Sequence, residues 1–282
     1  MFTYNIPNPN SISSTADWVE LYITYQNCGL SRTQLGSFLE SSKGKESSDD
    51  FIKDVWNELD YRRKMYGIRP PFDIDYNYIQ CIVEWQKAPE YLACLIFSLE
   101  GNPNTTVSSA AVAGKYFERI SNEAVKSYIK GNSIIYGFPN DQNIEEISNN
   151  FLFEKFNYIP PTYRKDRNLD LIAWKSWGDN RASQLILFVQ CAAGNNWKTK
   201  TKELNLRAWE KYIHVASKLI KGFSIPIVIS NSEELHEVST DAGIVIDRLR
   251  IYRETINLVF DDLSLKSDLI TWCNNSISEI VS

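Results

Sequence analysis

The sequence predicts an α/β fold, a mixed sheet flanked by helices and preceded by an all-helical N-terminal domain. Three observations carry that expectation. Apolar residues recur every three or four positions through most of the first hundred residues, the period of helices that bury one face. Two β-type runs, Leu169-Asp170-Leu171-Ile172-Ala173-Trp174 and Leu185-Ile186-Leu187-Phe188-Val189, flank a polar turn at Gly178-Asp179-Asn180-Arg181, the pattern of a buried hairpin. Beyond residue 105, further strand-like runs alternate with helical ones, and such alternation builds a sheet covered by helices.

In chain order, residues 1–16 read as an irregular polar leader. Trp18, Leu21, Tyr22 and Tyr25 mark a first helix behind Thr15 and Asp17. Ser31 and Gln34 have capping-box spacing ahead of Leu35, Phe38 and Leu39. After a solvated loop, Asp50 is placed to cap a helix that buries Phe51, Ile52, Val55, Trp56 and Leu59 and ends near Tyr66-Gly67. Arg69-Pro70-Pro71 enforces extended backbone. Helices are expected over 76–85 and 89–99. The break at Gly101-Asn102-Pro103-Asn104 then divides a helical domain, 1–104, from an α/β domain, 105–282.

A long helix over 105–129 is expected to bury Val112, Tyr116, Phe117, Ile120, Ala124, Val125 and Tyr128. Gly131 stops it, and 133–137 reads as a strand. Residues 140–165 are mixed. After the hairpin, Leu204, Leu206, Trp209, Tyr212, Ile213, Ala216, Leu219 and Ile220 predict a helix ended by Gly222. Strands over 225–229 and 242–247 and a last helix over 264–280 complete the pattern.

Composition narrows the classes. With 282 residues, 43% hydrophobic and 23% charged, the chain is globular rather than disordered. A net charge of −5 gives no overall attraction to nucleic acid, so a local basic patch or a partner subunit must supply any. Cys28, Cys81, Cys94, Cys191 and Cys273 form no CxxC pair, and only His214 and His236 offer imidazoles. That argues against zinc and against a disulfide framework. No apolar run approaches the about 18–20 residues that span a bilayer, and the first ten residues lack the pattern of a signal peptide. The expectation is a soluble cytoplasmic protein with no membrane role.

The polar residues that interrupt this pattern are the functional candidates. Asp170 lies in an apolar strand, where a carboxylate is costly without a ligand or partner. Glu118 sits at the flank of the buried stripe of the long helix, and Gln190 ends the second β run. Lys198, Lys200 and Lys202 follow the Gly194-Asn195-Asn196 turn. Arg164, Lys165 and Arg167 form the densest basic cluster upstream of Asp170 and suit a phosphate backbone. Arg248 and Arg250, after Asp247, either contact such a backbone or form an internal salt-bridged corner. Trp174, Trp177, Trp197 and Trp209 read as packing residues, and Cys191 as a small buried residue with no histidine near it in sequence.

A helix with Glu118, a strand, a strand with Asp170, a strand ending in Gln190, a helix and a strand: this order resembles the PD-(D/E)XK nuclease superfamily, the restriction-endonuclease-like fold, over roughly 105–229. The family places a Glu on the first core helix, an Asp on the second strand and (D/E)-x-K on the third. Here Gln190 stands at the acid and Ala192 at the lysine, with Lys200 and then Lys198 the nearest amines. The resemblance implies hydrolysis of DNA phosphodiesters with Mg²⁺ or Mn²⁺. It implies Glu118, Asp170, Gln190 and the backbone carbonyl of Cys191 as metal ligands, and Lys200 or Lys198 beside the scissile phosphate. It also implies a bacterial antiphage defence or restriction setting with a protein partner, an ATPase subunit or a second copy. Two other readings stay open: a catalytically inactive scaffold or nucleic-acid-binding subunit of the same fold, and a protein–protein adaptor acting through the helical part.

Overall fold

The computed structural model describes Ile6 and residues 8–43, 48–99, 107–136, 143–160 and 167–281. Its centre is a five-stranded mixed sheet. Strands β4 (Asn132–Ile135), β6 (Leu171–Lys175) and β7 (Leu185–Cys191) are antiparallel neighbours. β9 (Ile220–Ser224) and β10 (Ile244–Ile246) extend the sheet in parallel beyond β7. β6 is buried at every position but its last, and β7 at all but its two ends, as befits strands covered on both faces.

Helix α5 (Val107–Ile129) crosses one face and shares a core with Leu171, Ala173, Leu187 and Val189. The alternate residues Ile172, Trp174, Ile186 and Phe188 face the other way, onto Leu152, Leu204, Trp209 and Tyr212. On α5 the buried residues are Phe117, Ile120, Ala124 and Val125, whereas Val112 and Tyr128 are exposed, so the apolar stripe is narrower than expected. Trp177 is also exposed, in the hairpin turn, unlike Trp174, Trp197 and Trp209.

The first hundred residues depart from the all-helical expectation. Helices α1 (Ile12–Gln26), α2 (Arg32–Lys43), α3 (Asp49–Tyr66) and α4 (Pro89–Ser98) surround a small antiparallel sheet of β1 (Gly29–Ser31), β2 (Phe72–Ile74) and β3 (Tyr78–Cys81). The predicted helix over 76–85 is therefore wrong. Asp75 Oδ1 accepts the N–H groups of Asn77 and Tyr78, closing a hairpin. Tyr78 to Cys81 then alternate exposed and buried, the period of a strand. The capping box holds reciprocally, Ser31 N–H to Gln34 Oε1 at 2.8 Å and Gln34 N–H to Ser31 Oγ at 3.2 Å. α3 is capped by Ser48 and not by Asp50, which instead joins Asp49 in its first turn, where a negative charge suits the helix dipole.

The stretch over 204–220 is not one helix. Asn205 caps the short α8 (Leu206–Trp209), and β8 (Ile213–His214) pairs with β5 (Lys155–Phe156). Trp209, Tyr212 and Ile213 are buried at helix-like spacing but on a chain that turns. Gly222 is not a helix stop but the centre of β9, where a Cβ would lie 3.0 Å from Val189 Cγ2 and 3.2 Å from Leu187 Cδ1. The strand expected over 225–229 accordingly falls one element earlier, at Ile220–Ser224.

The break near residue 104 does not separate two cores. One apolar cluster runs from Trp18, Leu59 and Tyr91 through Phe117 and Val189 to Tyr252 and Leu269. Helices α10 (Arg248–Thr255) and α11 (Leu265–Val281) pack on α4, with Phe97 against both Phe117 and Trp272. At the centre, Arg62 Nη1 reaches Asp17 at 2.5 Å and Glu20 at 2.8 Å, and Arg248 Nη2 reaches the same Asp17 oxygen at 2.6 Å. Tyr66 and Tyr91 both donate to Glu20 Oε2. Burial alone would raise the Asp17 carboxyl, but the charges of Arg248 and Arg62 outweigh it and hold it below the usual range.

Two stability predictions follow from buried charge. Arg248→Met strands two buried carboxylates beside a single arginine, and should cost about 3–5 kcal/mol in urea unfolding. Glu90 is fully buried and makes no ion pair among the described residues. Burial pushes its carboxyl up to about 7, against smaller opposing effects that include Lys266 and Thr255. Its unfolded value is about 4.3, so its contribution is fully present below that pH and is lost as pH rises through 7. Unfolding free energies from urea denaturation at pH 5 and pH 8 should differ for the wild type by on the order of 3 kcal/mol more than for Glu90→Gln.

Candidate metal and nucleic-acid site

The ends of β6, β7 and β9 meet at one edge of the sheet, and Asp170 is fixed there at three points. Its N–H donates to the Val189 carbonyl at 3.0 Å, and its carbonyl accepts the Tyr136 N–H at 2.6 Å. Its Oδ2 accepts the N–H of Cys191 at 2.6 Å. That N–H lies in the plane of the sheet, since the next one, of Ala192, donates to β9 at Ser224. The Asp170 carboxylate thus stands at the strand end between the two faces.

Alternation along β7 sends Cys191 toward α5 and Gln190 to the opposite face. On the α5 side, Glu118 and Ser121 lie one turn apart. Ser121 Oγ bonds Ser224 Oγ at 2.8 Å, docking the helix onto β9. The Cys191 thiol is pushed well above its ordinary range by burial first and then by the negative charges of Asp170 and Glu118, a hydrogen bond with Ser121 acting the other way. The charges of two carboxylates, from a helix and a strand far apart in sequence, therefore both act on one residue. The raised thiol is no nucleophile at neutral pH.

On the opposite face, Gln190 is only 3% exposed. Its Nε2 donates to Glu203 Oε2 at 3.0 Å, and its Oε1 is buried without a partner among the described residues. Ala192, in the position of the family's lysine, is packed with Trp197 and Phe223. Of the amines beyond it, Lys198 pairs with Glu234 at 2.6 Å and Lys202 with Asp241 at 3.2 Å. Lys200, half-buried on the short α7 (Trp197–Lys200), makes no ion pair among the described residues.

The basic candidates divide. Arg248 is fully enclosed and bonded to Asp17, Glu20, Tyr66, Ser98 and the Pro226 carbonyl, so its assignment to a phosphate backbone is corrected: it is an internal anchor. Arg250 is exposed and donates to the Val245 carbonyl. Arg167 lies over the Tyr212 ring at 5.0 Å. Arg164 and Lys165 lie outside the described residues. Sequence reasoning missed Glu203, because only its contact with Gln190 on another segment marks it.

The chain matches no protein-family model and no curated protein. Among solved structures it is similar to one titled as the structure of restriction endonuclease FokI, at 12% identity and a TM-score of 0.25. The match covers 86% of this chain and 44% of that one, so the chain spans less than half the length of the structure it matches. No described helix is long and apolar enough to cross a membrane.

The hydrogen bond from Cys191 to Asp170 gives a direct test. Asp170→Ala leaves a part-buried N–H unpaired and should lower stability by about 1–2 kcal/mol in chemical denaturation. Asp170→Asn keeps an acceptor in place and should stay within about 1 kcal/mol of the wild type.

Proposed function

We propose that this chain is a divalent-metal-dependent nuclease acting on DNA. What supports the reading is the Asp170 carboxylate held at the end of β7 by the Cys191 N–H, with the charges of Asp170 and Glu118 both acting on the Cys191 thiol. The strand part of the expected order, β4, β6, β7 and then β9 after α5, antiparallel through β7 and parallel after it, supports the reading; the single helix expected between β7 and the next strand is replaced by the short α7, α8 and β8.

The donor set suits a hard cation. Asp170, Glu118, the Gln190 Oε1 atom and the Cys191 carbonyl all offer oxygen, the ligand chemistry of Mg²⁺ and Mn²⁺. The buried Gln190 Oε1 has no partner among the described residues and is an oxygen of the type that binds a hard cation. Among the described residues no cluster of three or more His, Cys, Asp or Glu is poised for a metal; this donor set counts an amide and a backbone carbonyl among its oxygens. Bound there, the ion supplies charge neutralisation on a phosphate and a more acidic water. Asp170 holds its carboxylate still through its pinned backbone, and Glu118 adds a second negative charge from the α5 side. Lys200 is the amine available to meet charge developing on the phosphate, because buried Ala192 cannot. The resemblance sets such a nuclease in bacterial defence or restriction, beside an ATPase or other protein partner.

A second reading, a non-hydrolytic nucleic-acid-binding subunit of the same fold, is favoured by the buried Ala192 and by the engagement of Lys198 and Lys202 with acidic partners. Supercoiled plasmid separates the two. The wild type should nick it with Mg²⁺ or Mn²⁺, chelator should abolish nicking, and Asp170→Asn should slow it by on the order of 100-fold or more. Equal nicking by Asp170→Asn would sink the proposal, and DNA retention without nicking would establish the second reading.

A further inference from the structure

Gln190 and Glu203 form a pair that the family pattern does not contain. The Gln190 amide is oriented by its neighbour: Nε2 donates to Glu203 Oε2, whereas the flipped amide would set its oxygen against a carboxylate. Oε1, the other branch of the amide, is buried and without a partner among the described residues, on the strand end next to Asp170.

Glu203 does not hang on a loose loop. Its N–H donates to the Lys200 carbonyl at 3.0 Å. The Thr201 carbonyl accepts from Lys221 Nζ at 2.8 Å, and the same ammonium binds the Asp241 carbonyl at 2.9 Å. Lys221 projects from β9, so the sheet itself fixes the turn. Trp197, buried at its start, fixes the other end. The Glu203 side chain remains exposed apart from its bond to Gln190. An exposed carboxylate lies against a buried amide whose oxygen has no partner among the described residues.

We propose that Glu203 supplies the carboxylate that position 190 lacks, and that Glu203 and Gln190 Oε1 together hold a divalent cation with Asp170. The inference rests on the metal-dependent reading above and adds to it a residue that strand pattern alone does not reveal. The motif's acid has moved off the strand to the turn after α7, and Lys200 sits on that same turn. One short segment, 200–203, then carries both the acid and the amine that β7 has lost.

Titration calorimetry with Mn²⁺ on the full chain tests this, with thermal unfolding confirming that each variant is folded. Glu203→Gln should weaken Mn²⁺ binding by about tenfold or more. The double variant Gln190→Glu with Glu203→Gln returns the acid to the strand and should recover to within about threefold of the wild type. If Glu203→Gln binds Mn²⁺ as the wild type does while Asp170→Asn does not, the assignment of Glu203 falls and the metal-dependent reading stands. A loss in Glu203→Gln that the double variant fails to restore also overturns it, since the carboxylate would then matter for the turn and not for the cation. Absence of saturable Mn²⁺ binding by the wild type, with and without DNA, overturns both.

Discussion

Everything in this fold depends on two arginines and two carboxylates that never meet water. Arg62 from α3 and Arg248 from the start of α10 share Asp17 and Glu20 of α1, and each of the four is buried. Burying such charges is tolerable only when every donor and acceptor is matched. The matching recruits Tyr66, Tyr91, Ser98, Ser13 and the Pro226 carbonyl. Four helices, α1, α3, α4 and α10, and the loop after β9 are thereby set in register. That loop continues the strand whose end adjoins the candidate site.

The sheet then turns a one-dimensional pattern into a two-sided site. Because side chains alternate, adjacent residues Gln190 and Cys191 serve opposite faces, one toward Glu203 and one toward Glu118. Asp170 belongs to neither, since its carboxylate is tied to a backbone N–H at the strand end. A group in that position can serve chemistry approached from either side. It also closes the ladder, so structural and chemical roles fall on one residue.

What was legible in the sequence follows from the range of the interactions involved. The hairpin around Asp170 and Gln190, the capping box at Ser31 and the long helix with Glu118 are written in local periodicity and local hydrogen bonds, and they lie where the pattern puts them. The stretch over 204–220 misled because Leu204, Trp209, Tyr212 and Ile213 are buried by a turning chain at spacings a helix would also give. The small sheet near β3 was hidden for a related reason: its pairing partners are distant, and Asp75 rather than a glycine makes the turn. Arg248 left two alternatives open, and only the fold chose the buried one. Glu203 was invisible because its meaning lies wholly in a contact with another segment.

The continuity of the core across residue 104 bears on how this protein can be dissected. A fragment starting at α5 would keep Arg248 but lose Asp17 and Glu20, leaving a guanidinium in an apolar interior with no counter-ion. It would also uncover Phe97's partners on Phe117 and Trp272. The helices before residue 104 are therefore not an appendage that can be trimmed to obtain a minimal core; their apolar residues belong to the same cluster as those of the central sheet.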